Sequence, residues 1–276
     1  MKRMILTGIL ALATGFAALA APQAAPAKAA PAQAKGPSPK SPAEGQAVMA
    51  LQSATQSSNP DAMIKAADDL LTKFADTDYK QWALSLEAKA YQMKGDAEHA
   101  QIYAQQALQI DPKSYSMMLL LGEVIELHIG DHDLDRDDKL KSAAKYFNDT
   151  IELVKTAPKP SPQVTDDQWA ESRKYMIAEA HNGLGILAIV REAVDTGGPL
   201  AEDRAAAIVE FQAAVDGDPQ QDAYNTRLAS AYLSSGKNDE AIAICDKLLA
   251  NPSLHPQIKA VVTNLKNAAV AAKGKK

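Results

Sequence analysis

The sequence predicts an all-α chain, an α-solenoid of stacked antiparallel helix hairpins with a disordered N-terminal segment. Two observations carry this. One phrase is written twice, "YQMKGDAEHAQIYAQQALQIDP" over residues 91–112 and "YLSSGKNDEAIAICDKLLANP" over residues 232–252. Each has a Tyr, a Gly four residues on, an Ala five further, and an apolar helical run closing near a proline. The composition agrees: aromatics are only 5% while alanine is abundant, which suits closely packed helices and disfavours a β-sandwich.

In chain order, the first stretch is "MKRMILTGILALATGFAALA". Lys2 and Arg3 form a basic start, an apolar stretch follows from Met4, and Ala18-Leu19-Ala20 offers a cleavage site of small residues. That is the pattern of a secretory signal peptide over residues 1–20. The apolar run is shorter than the roughly 20 residues a membrane-spanning helix needs, and no cysteine stands near the cleavage point to carry a lipid. Residues 21–40 are almost all Ala, Pro, Lys, Gln and Gly. Proline blocks helix there and little can form a core, so they read as a disordered linker. Removing Lys2 and Arg3 with the signal takes the formal charge from −5 to −7. An acidic chain without a basic aromatic stripe is a poor nucleic-acid binder. Cys245 is the single cysteine, so no internal disulfide forms.

The repeat domain spans residues 41–272. Ser41-Pro42-Ala43-Glu44 is a capping box with Pro at the first helical position, and Asn59-Pro60 opens a second helix with Ala66, Leu70 and Phe74 on one stripe. This first hairpin covers 44–78. Numbering the next unit (81–114) from Gln81 puts Tyr91 at position 11, Gly95 at 15, Ala100 at 20 and Pro112 at 32. Numbering the last unit (222–254) from Asp222 puts Leu228 at 7, Ala229 at 8, Tyr232 at 11, Gly236 at 15 and Ala241 at 20. The Gly ends a first helix in the left-handed region, and the Ala at 20 lets the second helix approach the first. Two middle units have lengthened turns. In 115–157, Leu121 and Gly122 fall at 7 and 8, and Ala143, Phe147 and Ile151 at 20, 24 and 28. In 165–221, Leu184 and Gly185 fall at 7 and 8, and Ala207, Phe211, Ala214 and Pro219 at 20, 24, 27 and 32. The Thr165–Gln168 capping box starts a helix of more than seven turns, with Trp169 on its projecting end. Residues 255–272 read as a closing helix, apolar on one side, which a finite stack needs.

These positions resemble the tetratricopeptide repeat, whose period is about 34 residues. The resemblance implies that first helices line a concave groove binding an extended or helical segment of another protein. It implies inward side chains at positions 2, 5, 9, 12 and 13. Those are Trp82, Ser85, Lys89, Gln92 and Met93; Ser116, Leu119, Glu123, Glu126 and Leu127; Glu179, Asn182, Ile186, Ile189 and Val190; and Ala223, Thr226, Ser230, Leu233 and Ser234. From these, Trp82, Lys89, Gln92, Leu119, Glu123, Glu126, Asn182, Thr226 and Ser230 are the candidate partner-binding residues. Chaperone-binding members clamp a terminal carboxylate with several basic and amide groups. Lys89 has no basic neighbour at these positions in the next two units, so that clamp is not matched.

The sequence has no His-Glu-x-x-His, no Gly-x-Ser-x-Gly and no Walker loop, and "GLG" at 183–185 falls mid-helix rather than after a strand. In "HIGDHDLDRDD", Asp131, Asp133 and Asp135 alternate like the first ligands of a calcium loop. Arg136 then stands where Gly is required and Ser142 where a bidentate Glu belongs. His128 and His132, four apart, have zinc-ligand spacing. The turn reads as a solvated acidic one whose Asp side chains cap a helix beginning near Arg136. The expectation is therefore a non-catalytic adaptor of the cell envelope, periplasmic or secreted, binding a protein partner. It needs no cofactor or small-molecule substrate and meets a membrane only through a partner. The alternatives are a metal-binding accessory module using residues 128–138 and a self-associating scaffold. Sequencing the N-terminus of the protein from its native host should give Ala21 or a residue within a few of it; an intact Met1 on soluble cytoplasmic protein would refute export.

Overall fold

The computed structural model describes residues 36–130, 132–194 and 200–274, so the expected signal peptide, most of the expected linker, Asp131, residues 195–199 and the last two residues lie outside it. Eleven helices run through the described residues, with no strand among them. Ser41 caps α1 (Pro42–Ser57) by accepting the Glu44 N–H at 3.1 Å. The Glu44 carboxylate reaches back to the Lys40 N–H at 2.6 Å and also takes the Thr77 hydroxyl at 2.6 Å. One cap thus fastens the start of α1 to the turn beyond α2 (Pro60–Lys73), which Asn59 caps through the Ala62 N–H. Residues 36–40, expected as free linker, lie against this hairpin. The Tyr79 hydroxyl donates to the Pro37 carbonyl at 3.0 Å, and the Lys40 ammonium meets Asp76 and Asp78.

Next come α3 (Lys80–Lys94) and α4 (Ala97–Ile110), separated by Gly95 at φ 73°, then α5 (Tyr115–Leu127) and α6 (Arg136–Thr156). The 29-residue α7 (Asp166–Val194) starts from a closed box, in which the Gln168 N–H donates to the Thr165 hydroxyl at 3.2 Å and the Thr165 N–H to the Gln168 side-chain oxygen at 3.0 Å. Then follow α8 (Leu200–Gly217), α9 (Asp222–Ser234), α10 (Asn238–Leu249) and α11 (Pro256–Lys273). Each helix packs on its successor, α3, α5 and α7 also touch one another in turn, and α11 closes the stack on α10 and α9. No helix among the described residues is long and apolar enough to cross a membrane.

Trp169 does not project. It is buried against the end of α6, its indole N–H donates to the Ala157 carbonyl at 3.0 Å, and its ring lies 6.2 Å from that of Tyr115. The long first helix of this unit is therefore seated at its N-terminal end by a large amphipathic side chain.

Packing within a unit turns on positions 8 and 24, and Phe147 reaches the next unit as well. Where position 8 is Gly, position 24 is Phe. Where position 8 is Ala (Ala88, Ala229), position 24 is small, Ala104 or Cys245, and all four are fully buried. The fully buried Phe147 ring occupies the space where a Cβ would stand on Gly122 of α5 and on Gly183 of α7; added Cβ atoms would lie 2.6 Å and 2.3 Å from it. Phe211 fills the same slot over Gly185, at 2.6 Å. Side-chain volume at this crossing is exchanged between partners rather than added, as close packing demands. Gly183→Ala or Gly122→Ala should therefore cost about 1–3 kcal/mol by overpacking. Gly45→Ala in α1, where the nearest atom is 3.7 Å away, should instead stabilise by up to about 1 kcal/mol through helix propensity. Urea denaturation of the three variants would show the two opposite signs, and equal signs would refute the Phe–Gly account.

Candidate partner-binding face

The first helices α3, α5, α7 and α9 turn polar side chains to a common side. The Gln92 amide on α3 donates to the Glu123 carboxylate on α5 at 2.7 Å. Burial, then the facing Glu179 of α7, push the Glu123 carboxyl up to about 8, against the pull of the Gln92 hydrogen bond. On the next turn of α5, burial raises Glu126 to about 7, and the Arg227 charge on α9 opposes that rise. Arg227 donates to the Asn182 side-chain oxygen on α7 at 3.0 Å. Glu126 thus feels a charge two first helices away, across α7. Burial, then Glu179, also raise the Tyr224 phenol above its usual range.

Lys89 sits half-buried on α3, and burial holds its ammonium below the usual lysine range. Among the described residues it has no hydrogen-bond or ion-pair partner. The face is therefore bipolar, with a desolvated cation on α3 and a crowded set of carboxyls on α5 and α7.

Gln92, Glu123, Glu126 and Asn182 come together in this network. Lys89 stands apart on α3. Trp82 is half-buried and packs on the core of the first hairpin, with its ring 6.3 Å from that of Tyr79. Leu119 is 8% exposed inside the α5–α6–α7 core, so it faces its own chain. Thr226 donates to the Asp222 carbonyl of its own helix at 2.7 Å, and Ser230 is half-buried on α9. Ile186 and Val190 pack into cores, and Ile189 is exposed. Tyr224 and Arg227 were missed because positions 3 and 6 lie outside the inward set that the repeat implies. Their long side chains reach the face from its margin.

Among the described residues of the acidic turn, Asp133 and Asp135 are satisfied within the turn and by the helix that follows it. The Asp133 carboxylate accepts the Gly130 N–H at 2.9 Å and meets the Lys139 ammonium at 2.6 Å; Asp135 meets the same ammonium at 3.2 Å. The helix begins at Arg136 as expected, but the Asp135 side chain makes no capping hydrogen bond. Its carboxylate turns to Lys139 instead. Arg136 is buried and donates to the Val190 carbonyl, tying α6 to α7. His128 bonds its own helix at the Val124 carbonyl, at 2.8 Å. No three His, Cys, Asp or Glu side chains converge on a metal-sized site among the described residues. Cys245 is fully buried in the last hairpin, and burial raises its thiol. His181 pairs with Glu210 across its hairpin at 2.7 Å.

Residues 200–265, from α8 into α11, match the tetratricopeptide repeat family. No curated protein matches the sequence. Among solved structures, the chain is similar to a thermophilic TPR protein of Thermus thermophilus, at 16% identity and a TM-score of 0.51, covering 80% of this chain and 98% of that one. It is also similar to the assembly chaperone of RpL4, at 14% identity and a TM-score of 0.57, covering 82% of this chain and 84% of that one. The fold is thus that of a tetratricopeptide-repeat solenoid.

Because Glu179 raises Glu123, Glu179→Gln should lower the Glu123 midpoint measured by carbon-13 NMR of the side-chain carboxyls. The direction follows from removing a like charge. An unmoved midpoint would mean the two carboxyls do not share a site.

Proposed function

We propose that the chain is an exported, non-catalytic adaptor that holds a segment of another protein along the face of α3, α5, α7 and α9. The observation that carries this reading is the charge imbalance of that face: Lys89 lacks an anion among the described residues, while Glu123 and Glu179 crowd each other with Gln92 as their neutral neighbour. A half-buried charge without a partner, such as Lys89, favours a ligand that supplies one, since pairing a desolvated charge offsets much of the cost of its burial. The fitting partner brings a lysine or arginine to the Glu123–Glu179 pair and an acidic group to Lys89. Such recognition contributes orientation and selectivity more than bulk affinity. The helical solenoid and the match of residues 200–265 to a repeat family support protein binding as the general role. The signal-like residues 1–20 support the envelope as its place.

The test is capture of partners from envelope extract by the mature chain, quantified by mass spectrometry against groove variants. Lys89→Ala and the pair Glu123→Gln with Glu126→Gln should each reduce recovery of the same partner about tenfold, with melting temperatures within a few degrees of wild type. Gln105→Ala, exposed on α4, should leave recovery unchanged. Full recovery by the groove variants would place binding elsewhere on the molecule.

A further inference from the structure

A buried acid lies outside this face. Glu87 occupies position 7 of α3, where the other three units hold Leu121, Leu184 and Leu228. It is 0% exposed, no donor reaches either of its oxygens, and the one polar group close to them, the Asp68 carboxylate, can only accept a hydrogen bond from it when Glu87 holds a proton. Asp68 of α2 is its charged neighbour; Tyr103 of α4 and Tyr91 of its own helix stand near enough to feel its charge. α5 contributes no charge to it, and no Lys, Arg or His side chain among the described residues compensates it. Tyr91 and Tyr103 stack with ring centres 5.4 Å apart, and Tyr91 stacks on His99 at 4.8 Å.

The location gives this acid leverage. α1 packs on α2, and α2 packs on α3, so the first hairpin joins the stack across the α2–α3 seam where Glu87 is buried. A carboxylic acid is tolerated in such a place far better than a carboxylate facing a second acid.

We propose that Glu87 and Asp68 form a proton-gated seam: the first hairpin docks on the stack while the Glu87 carboxyl holds a proton, and loosens when that proton leaves to solvent. Burial, then Asp68, raise Glu87 to about 8 while the hairpin is docked, whereas once α1 and α2 have moved off α3 it is solvated and titrates near an ordinary value of about 4.3. The docked pKa is the higher one, so this contribution to docking is fully present below about 4.5. It weakens as pH rises towards about 8 and then levels off, with a slope of at most about tenfold per pH unit for one proton. Loosening would uncover Tyr79 and Trp82, which pack with α1 and α2 in the core of the first hairpin, and would shorten the ordered stack by one hairpin.

The test is hydrogen exchange read by mass spectrometry on the whole chain from about pH 5.5 to about pH 9, corrected for the intrinsic exchange rate. The opening constant of α1 and α2 should rise with pH, approaching about tenfold per unit, and flatten above about pH 8; that of α9 and α10 should stay level. Glu87→Gln, of the same shape, and Glu87→Leu, the residue of the other units, should both remove the slope. Asp68→Asn, on the exposed part of α2, tests the seam without altering Glu87 and should move the midpoint to lower pH. Glu123→Gln should leave the α1–α2 slope intact, which separates the seam from the groove. A wild-type slope equal to that of α9 and α10, a slope that persists in Glu87→Gln or Glu87→Leu, or an unmoved midpoint in Asp68→Asn would overturn the proposal.

Discussion

A single aromatic ring holds three helices at their closest approach. Phe147 of α6 stands over Gly122 of α5 and Gly183 of α7, in space that a methyl group on either glycine would occupy. A glycine inside a helix costs roughly 0.5–1 kcal/mol relative to alanine. Fully burying a phenylalanine contributes about 1.5–3 kcal/mol, so the ring offsets the two helix-weakening residues that admit it. Phe211 over Gly185 repeats the arrangement one unit on. The remaining units reach the same crossing with alanine or cysteine on both sides.

The polar face follows from this crossing. Glu123 directly follows Gly122, and Asn182 directly precedes Gly183. Drawing α5 and α7 together at the glycines therefore brings Glu123 opposite Glu179, and places Asn182 where Arg227 of α9 reaches it. The unusual proton affinity of the face is a product of helix spacing. With bulkier residues at these crossings the carboxyls would be farther apart and better solvated.

Much of the helical order was legible in the sequence because it is written in local chemistry. Ser41, Asn59 and Thr165 announce helix starts, Gly95 and Gly236 announce ends, and apolar spacing gives the buried stripes. The glycine and phenylalanine positions were legible too, but their complementarity was not, since it relates residues 25 and 36 apart that touch only in the folded stack. Gln92, Glu123, Glu126 and Asn182 were placed by repeat position and do meet on one face. Leu119 and Trp82 were assigned by the same positions yet serve cores, because an apolar side chain at the edge of a groove packs on whatever neighbour is nearest. Trp169 was misjudged because its neighbour, the carbonyl of Ala157, belongs to the connection preceding α7. Glu87 is visible in the sequence as a departure from leucine, but only its burial turns that departure into a physical claim.

The exchange of volume between positions 8 and 24 also gives the stack an order. A unit with Phe147 needs glycine both within itself and at position 6 of its successor, whereas the unit carrying Phe211 is followed by Arg227 at that place. The hairpins are thus not interchangeable parts. The hairpin carrying Phe147 accepts a successor with glycine at position 6 and strains against one with a larger residue there, so the order of these two hairpins is set by shape. Repeat arrays with uniform units tend to misassemble by pairing out of turn. Here mismatched surfaces discourage that error, and the arrangement with every ring in its slot is separated from shuffled alternatives by steric cost.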